Sequence, residues 1–188
     1  MPDGQQEDRT TACLKQAVQG DATAFASLVA EHQAMVFSIA LHYLQDRSLA
    51  EDVAQEVFLE LYQNLSTIES AGHLTYWLRR VAVHRCIDQG RRRNTRRESA
   101  LEGLPEPAVQ NAPADPLLLG KLRQVLEALP EKQRMMVVLR YQEDLGPAEI
   151  AELLRMPVNT VKSTLHRSLD DLRKKLTRKL GEVRYAIL

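Results

Sequence analysis

A proline-rich acidic segment at 98–116 divides the chain of 188 residues into two halves. The segment contains four prolines and four acidic residues, but it has no lysine or arginine. This composition favours an extended chain over a helix. We therefore predict a flexible acidic linker at 98–116 between an N-terminal domain at 10–97 and a C-terminal domain at 117–180. Each domain is shorter than about 100 residues, a size that a helical bundle can still stabilise.

The composition of the two halves predicts an all-α fold. Aromatic residues make up only 5% of the chain, and eight glycines and eight prolines are too few for the many turns of an all-β protein. Leu, Ala, Glu, Gln and Arg are abundant, and all five favour helices. Because 44% of the residues are apolar, the chain can bury a core and is not a disordered tail. We therefore predict two small helical domains.

Several classes of protein are disfavoured by what the sequence does not contain. The two cysteines, Cys13 and Cys86, are far apart and lack the spacing of a disulfide scaffold or a zinc site. No uninterrupted apolar run approaches the ~18 residues of a membrane span, and residues 1–8 are polar and acidic, unlike a signal peptide. The histidines are scattered and no glycine-rich phosphate loop occurs. We expect a reduced cytoplasmic protein that is not an enzyme, needs no cofactor or metal, takes no small-molecule substrate and does not insert into a membrane.

The charges form blocks of alternating sign, although the net charge is zero. Residues 1–78 carry 3 basic and 11 acidic side chains, whereas residues 79–97 carry eight arginines and one aspartate. Residues 98–161 are again acidic, and residues 162–188 carry 8 basic and 3 acidic side chains. The distribution matters more than the sum, so the two basic blocks are candidates for binding nucleic acid.

The first basic block belongs to a predicted helix at about 73–93. On a helical wheel, one wide arc is apolar and contains Leu74, Leu78, Val81, Ala82 and Cys86. A second arc carries Trp77, Arg80, His84, Asp88 and Arg91, and the helix continues into Arg92. Such a surface can neutralise phosphates and stack an unpaired base on the indole. The alternative is a solvated basic face with Trp77 in the core.

The second basic block begins in a helix-turn-helix pattern at about 146–168. Ile150, Ala151 and Leu154 form the predicted inner face of the first helix, Val158 fills the turn, and Asn159 caps the second helix. The second helix is anchored by apolar residues at helical spacing: Val161, Leu165, Leu169 and Leu172. Its polar side chains then point outward, as a recognition helix requires for reading base edges. The alternative is a short helical hairpin with a charged outer face.

An acidic stripe precedes both basic blocks in the chain. It contains Glu51, Asp52, Gln55, Glu56 and Glu60. Paired carboxylates can serve a metal or acid–base catalysis, but no histidine or cysteine lies beside them at ligand spacing. A protein-docking face therefore fits better, and a solvated acidic helix face is the alternative.

In this order, these motifs resemble the extracytoplasmic-function (ECF) subfamily of bacterial RNA polymerase sigma factors. The N-terminal motifs are Gly20-Asp21, Ala24-Phe25, Ala50-Glu-Asp-Val-Ala-Gln-Glu-Val-Phe-Leu-Glu-Leu-Tyr62, Trp77-Leu78 and Val81-Ala82, with Asp88 and Arg91. The C-terminal motifs are Leu129-Pro-Glu-Lys-Gln-Arg134, Leu139-Arg-Tyr141, Glu149-Ile-Ala151, Val161-Lys-Ser163 and Leu165-His-Arg167. The resemblance covers the chain from about Asp21 to about Leu176.

The resemblance implies a factor that binds core RNA polymerase and directs promoter-specific transcription initiation. By position, the acidic helix would dock on the clamp helices of the β′ subunit through Glu51, Asp52, Gln55, Glu56 and Phe58. The segment at 64–72 would capture a flipped base of the −10 element. The arginine-rich helix would melt and hold that element through Trp77, Arg80, His84, Asp88, Arg91 and Arg92.

The helix-turn-helix of the C-terminal domain would recognise the −35 element, and the β flap of core polymerase would be a further contact of the protein. The matching residues are Arg155, Asn159, Thr160, Lys162, Ser163, His166 and Arg167. The resemblance also implies an anti-sigma factor as a partner, and it places the acidic linker near the path of nascent RNA.

Four residues depart from the family pattern, and one alternative function stays open. Many relatives carry Asn at the position of His84, Gly at the positions of Arg155 and Asn159, and Arg at the position of Thr164. A left-handed backbone at Arg155 would be strained, so the turn is either strained or slightly different. The alternative is a stand-alone helix-turn-helix regulator that binds DNA without polymerase.

Overall fold

The computed structural model describes residues 4–99 and 116–186, and every element within these ranges is helical. The helices are α1 (Gly4–Val18), α2 (Ala22–Leu44), α3 (Arg47–Asn64), α4 (Ala71–Ser99), α5 (Pro116–Glu127), α6 (Glu131–Tyr141), α7 (Pro147–Leu154) and α8 (Val158–Ala186). A 3₁₀ turn at Leu65–Thr67 joins α3 to α4. The all-α prediction is confirmed.

The chain forms two compact units, residues 1–89 and residues 90–188, with the boundary inside α4. This boundary lies before the predicted linker at 98–116. Most of that predicted linker, residues 100–115, lies outside the described residues.

Helix α2 is the core helix of the N-terminal unit and packs against α1 and α3. As the sequence predicts, Asp21 begins it, because its carboxylate accepts hydrogen bonds from the main-chain N–H groups of Thr23 and Ala24 at 2.8 and 3.1 Å. Its largest fully buried side chains are Leu28, Val36, Ile39 and Tyr43. The carboxylate thus satisfies backbone donors that would otherwise lack partners at the start of this apolar helix.

By length and hydropathy, α2 is also the one helix in the described part of the chain that could cross a membrane. The sequence pattern did not indicate this, because Glu31, His32 and Gln33 interrupt the apolar residues of α2. The core helix of a folded domain passes the same test. The packing of α2 against two neighbours is the arrangement of such a core helix.

Helix α1 was not predicted from the sequence, which placed the start of the domain at about residue 10. It is anchored by Leu14 and Ala17, which are buried, and by Thr10, whose hydroxyl donates to the carboxylate of Glu31 on α2 at 2.8 and 2.9 Å. The spacing of Thr10, Leu14 and Ala17 is helical, but the polar residues around them hide the pattern. Thr10, Leu14 and Ala17 form a narrow buried stripe along α1.

Helix α4 confirms the predicted apolar arc and extends the predicted helix at both ends. Leu74, Leu78, Ala82 and Cys86 are fully buried, whereas Val81 is half-buried. Burial raises the pKa of the Cys86 thiol to about 12, because a thiolate would be desolvated there. Cys86 is therefore a protonated core side chain and not a nucleophile.

The C-terminal unit is built around α8, on which α5, α6 and α7 pack. Two side chains tie its helices together. Arg134 on α6 donates from Nη2 to the main-chain oxygen of Glu127 at 2.8 Å, at the end of α5. The buried hydroxyl of Ser168 on α8 donates to Oε1 of Gln133 on α6 at 3.2 Å. The first bond joins α6 to α5, and the second joins α8 to α6.

The predicted helix-turn-helix corresponds to α7 and the start of α8, with three corrections. Leu153 is the buried side chain of α7 beside Ile150, whereas Leu154 is only half-buried. Val158 does not fill the turn, because it is 37% exposed. Asn159 does not cap α8, because α8 begins at Val158 and the carbonyl of Pro157 accepts from the N–H groups of Thr160 and Val161.

The turn between α7 and α8 has a left-handed residue at Arg155, with φ 52° and ψ 54°. The N–H of Met156 donates to the carbonyl of Ala151 and the N–H of Arg155 donates to the carbonyl of Glu152, at 2.8 and 3.2 Å. This pair of bonds is the Schellman motif, in which glycine is favoured at the left-handed position. Of the two possibilities left open by the sequence, the strained turn is the one observed.

We expect Arg155→Gly to raise the free energy of unfolding by about 0.5–1 kcal/mol, because glycine adopts this backbone conformation without strain but is more flexible when unfolded. Thermal or urea unfolding of the full chain measures the change. Arg155→Ala is the matched control, because it removes the side chain and keeps the strain. A glycine variant no more stable than the alanine variant would contradict this account.

Candidate docking and nucleic-acid interfaces

Helix α3 presents the predicted acidic stripe as two neighbouring rows, not as one surface. Glu51, Gln55 and Phe58 lie along one row, and Asp52 and Glu56 lie along the other at a spacing of four residues. Glu51, Asp52 and Glu56 are exposed, and Phe58 is half-buried. The first row borders a groove, and the second row continues to Glu60 beside α4.

The groove lies between α2 and α3 and has a volume of about 920 Å³. Apolar and aromatic side chains form most of its wall: Phe25, Val29, Phe37, Phe58, Leu59 and Tyr62. Phe25 and Tyr62 meet edge to face with their ring centroids 5.2 Å apart. Leu59 and Tyr62 are each 60% exposed, so this wall combines apolar surface with access to solvent. Glu51 and Gln55 also line the groove.

The second row of α3 is tied to α4 by an arginine. Arg85 donates from Nε and Nη2 to one carboxylate oxygen of Glu60, at 3.1 and 2.7 Å. Its Nη1 donates to Glu56 at 3.2 Å. The pKa of Arg85 is raised, chiefly by the hydrogen bond to Glu60, while partial burial opposes the shift and the charges of Glu60, Glu56 and Asp88 add to it. Glu56 is therefore engaged within the protein as well as exposed.

The segment at 64–72 is held by short-range bonds and three buried side chains. Leu65, Ile68 and Ala71 are buried, whereas Ser66, Thr67, Glu69 and Ser70 are exposed. The side-chain amide of Asn64 donates to the carbonyl of Glu60 at 2.8 Å. The N–H of His73 donates to the hydroxyl of Ser70 at 3.1 Å, at the start of α4. A predicted base-capturing loop is thus a compact, anchored turn.

The predicted nucleic-acid arc of α4 carries one half-buried aromatic residue among polar neighbours. Trp77 and Arg80 are half-buried, and His84, Asp88, Arg91 and Arg92 are exposed along the same helix. Trp77 is therefore neither fully in the core nor fully exposed, so its half-burial does not decide between the two alternatives. The arc runs for more than three turns of one continuous helix.

His84 occupies a defined tautomer when it is neutral. Its Nδ1 lies 2.6 Å from the carbonyl oxygen of Arg80, and a carbonyl can only accept a hydrogen bond. Nδ1 therefore carries the proton, and Nε2 of the neutral ring is left as an acceptor. The exposed neutral His84 thus presents an acceptor at Nε2.

The predicted recognition residues lie together on the first three turns of α8 and on the preceding turn. Arg155, Asn159, Lys162, Ser163, His166 and Arg167 are exposed, and Thr160 is half-buried. Arg167 donates from Nε to the carbonyl of Ser163 at 3.2 Å, which directs its stem along the helix. Nε2 of His166 is 3.5 Å from Asp170, which also faces Arg173. The apolar residues Val161 and Leu165 are buried, so the polar face is turned outward as predicted.

No group of three or more His, Cys, Asp or Glu side chains within residues 4–99 and 116–186 is arranged to hold a metal ion. The buried His32 is structural: its Nδ1 donates to the carbonyl of Leu28 at 3.0 Å, and its Nε2 lies 3.4 Å from the hydroxyl of Thr75. The sequence analysis missed two features, the groove and the role of Arg85. Both depend on residues far apart in sequence, so no local pattern could have indicated them.

In comparison with known proteins, two family models match different parts of the chain. The model of Sigma-70 region 2 matches residues 28–97, and the model of Sigma-70, region 4, matches residues 119–172. The first match contains α3 and most of α4, and the second contains α6, α7 and the start of α8.

Curated relatives match over most of the chain. The ECF RNA polymerase sigma factor SigW of Bacillus subtilis (strain 168) is 32% identical over 180 residues, covering 87% of this chain and 94% of SigW. The ECF RNA polymerase sigma-E factor of Escherichia coli (strain K12) is 32% identical over 185 residues, covering 90% of this chain and 96% of that protein. Among solved structures, the sigma factor RpoE in complex with the anti-sigma factor NepR from Bartonella quintana has a similar fold, with a TM-score of 0.68 at 19% identity, over 81% of this chain and 96% of that chain.

Proposed function

The chain belongs to the ECF RNA polymerase sigma factors, and from this membership we propose how its helices divide the work of promoter-specific transcription initiation. Like the family, the protein binds core RNA polymerase, recognises the −10 and −35 elements and assists promoter melting. We assign docking to α3, the −10 element to the segment at 64–72 and α4, and the −35 element to the start of α8. The protein catalyses no reaction itself in this proposal, and the polymerase performs the chemistry.

The observation that carries the docking assignment is the combination of charge and apolar surface on α3. Exposed carboxylates at Asp52 and Glu56 stand beside an open groove bordered by Glu51, Gln55 and Phe58. Interfaces join an apolar centre to a polar rim, and complementary charges speed the encounter. We propose the β′ clamp helices as the partner of this surface and the β flap as the partner of the C-terminal unit.

The −10 assignment is supported by the exposed cations and accessible indole of α4. Single-stranded nucleic acid is bound by aromatic stacking together with charge neutralisation along the backbone. Trp77 and Arg80 supply one of each within a single turn, and Arg91 and Arg92 extend the charge towards the end of the helix. Asp88 lies among these cations and can accept a hydrogen bond from a base amino group.

The −35 assignment is supported by the rigid mounting of α8. Ser168 and the buried residues Val161 and Leu165 fix this helix on its unit, while Lys162 and Arg167 remain exposed. A recognition helix reads base edges with its first turns and holds phosphates with its cations. Arg155, in the left-handed turn, is placed to reach a phosphate in this proposal.

Two further properties complete the proposal. A fold neighbour is a sigma factor in complex with an anti-sigma factor, and this supports a comparable protein regulator for the present chain. Transcription by RNA polymerase requires the protein to act in the cytoplasm.

The proposal is tested by recovering core polymerase with the tagged protein and mapping transcription start sites across the genome after its induction. We expect stoichiometric recovery of core polymerase and a small set of new start sites sharing a −10 and a −35 motif. Tight binding of the free protein to duplex DNA, without polymerase recovery, would instead support a stand-alone helix-turn-helix regulator.

We expect Arg80→Ala and Arg91→Ala to weaken promoter opening and each to reduce the slope of log affinity against log salt by about 1, because each removes one phosphate contact. The measurement is open-complex formation by the holoenzyme across a salt series. Arg9→Ala is the matched control, since Arg9 is an exposed arginine on α1. An unchanged slope in both variants would contradict the phosphate contacts.

A further inference from the structure

The two helices to which we assign docking and promoter opening are joined by the ion pair between Arg85 and Glu60. Arg85 directs two N–H groups of its guanidinium at one oxygen of Glu60, with the shorter contact at 2.7 Å. Glu60 lies on the last turn of α3, and Arg85 lies near the middle of α4, 25 residues later. The pair therefore links the helices directly, across the intervening segment at 64–72.

Arg85 donates two N–H groups to Glu60 and one to Glu56. Glu56 receives a single N–H group at 3.2 Å and its side chain is 53% exposed, whereas the Glu60 side chain is 33% exposed. A cationic partner that approached Glu56 would therefore compete with only one of three contacts to Arg85. The remaining two contacts, both to Glu60, would keep α3 and α4 joined when the docking surface is occupied.

Apolar packing between α3 and α4 accompanies the ion pair of Arg85 and Glu60. Ala82, on nearly the same side of α4 and one turn earlier, is fully buried, and so are Val57 and Leu61 on α3. Apolar burial is non-directional, whereas the arginine fork has a fixed geometry. Glu60 is itself restrained, because its carbonyl accepts from the side-chain amide of Asn64 at 2.8 Å. The ion pair thus links α3 and α4 at one defined position along each helix.

We propose that Arg85 and Glu60 are positioning residues that hold α4 in register against α3, so that polymerase bound at α3 presents the arc of α4 correctly for promoter opening. The inference rests on the proposed assignments of α3 and α4. It gives Glu60 a role distinct from that of the other acidic residues of α3: Glu60 faces inward to Arg85 and is not used for docking.

A competing role for Arg85 is a direct phosphate contact, and two substitutions separate the roles. Glu60→Gln would release Arg85 towards DNA and should strengthen binding if Arg85 contacts a phosphate, but it should impair opening if the pair positions α4. Arg85→Lys keeps the charge that a phosphate needs and loses the fork that the register needs. The two roles therefore predict opposite outcomes for both variants.

The experiment measures promoter opening by the reconstituted holoenzyme, with 2-aminopurine in the −10 element and saturating polymerase. We expect Glu60→Gln and Arg85→Lys each to lower opening roughly three- to tenfold, with unfolding midpoints near that of the parent, because this ion pair is still partly exposed to solvent and such pairs add little stability. Asp144→Asn is the matched control, as it weakens the exposed pair with Arg140 at a left-handed position that asparagine tolerates.

The outcomes are exclusive. Opening that is unchanged or increased in Glu60→Gln, or fully retained in Arg85→Lys, would overturn the positioning role. Loss of polymerase binding in both variants, with normal unfolding, would also overturn it, since Glu60 would then belong to the docking surface. If the parent protein bound polymerase but opened no promoter, the proposed function itself would fail, and the ion pair would not be the cause.

Discussion

Replacing Asp52 and Glu56 together by alanine should lower the affinity of the protein for core RNA polymerase about 10- to 100-fold, since two interface charges contribute roughly 0.7–1.4 kcal/mol each. Both carboxylates are exposed on one row of α3. Much of the effect should lie in the association rate and should diminish as salt is added, because exposed charges steer encounter and are screened. Surface plasmon resonance or a fluorescence titration with core polymerase measures both quantities.

The control for this prediction is Glu7→Ala with Asp8→Ala. These residues are exposed on α1 in the same unit, so the substitution changes the net charge equally without touching α3. Because Glu56 also contacts Arg85, Asp52→Ala alone isolates the docking effect from any change at α4. Affinity within twofold of the parent in the double variant would refute docking through this row of α3.

Replacing Lys162 and Arg167 together by alanine should reduce transcription from a −35-dependent promoter about 30- to 900-fold, since each base or phosphate contact contributes roughly 1–2 kcal/mol. Both side chains are exposed on the first three turns of α8, whose buried face is fixed by Val161 and Leu165. Affinity for core polymerase should be unchanged. Single-round transcription with the mapped promoter and with a scrambled −35 element measures the loss and its sequence dependence.

The matched control is Lys174→Ala with Arg178→Ala, which removes two exposed cations from the same helix beyond its first four turns. If the loss came only from lower net charge, this control would be impaired to the same extent. If the parent transcribed equally from the scrambled element, the recognition role of α8 would be rejected. A loss confined to the Lys162 and Arg167 variant and to the intact element would support direct readout.

Helical periodicity explains why much of α4 and α8 was predictable. In a long helix, every third or fourth residue faces the core, so the local sequence is enough to predict the buried arc through Leu74, Leu78 and Cys86. The remaining residues of the helix then form its outward face. The N-cap at Asp21 was predictable for a related reason, since a carboxylate there bonds to backbone donors only two and three residues away.

The errors at the second helix of the helix-turn-helix have a local cause. Asn159 is a good N-cap by type, but Pro157 has a fixed φ and its carbonyl already accepts the first helical bonds from Thr160 and Val161. The helix therefore begins earlier, at Val158, and this residue becomes part of its exposed first turn. The start of a helix depends on which of several neighbouring residues caps it. The N-cap preference of each residue type alone does not predict that choice.

The sequence by itself determined the helical class, the two basic blocks, the outward faces of α4 and α8, and the family, because each follows from local periodicity or from motifs of contiguous residues. Only the tertiary structure decided which neighbours the residues of the acidic stripe contact. Glu51, Gln55 and Phe58 line an apolar groove, whereas Glu60 forms an ion pair with Arg85. The physical reason is that a side chain's partner depends on which distant helix packs beside it, and a single helix leaves that choice open.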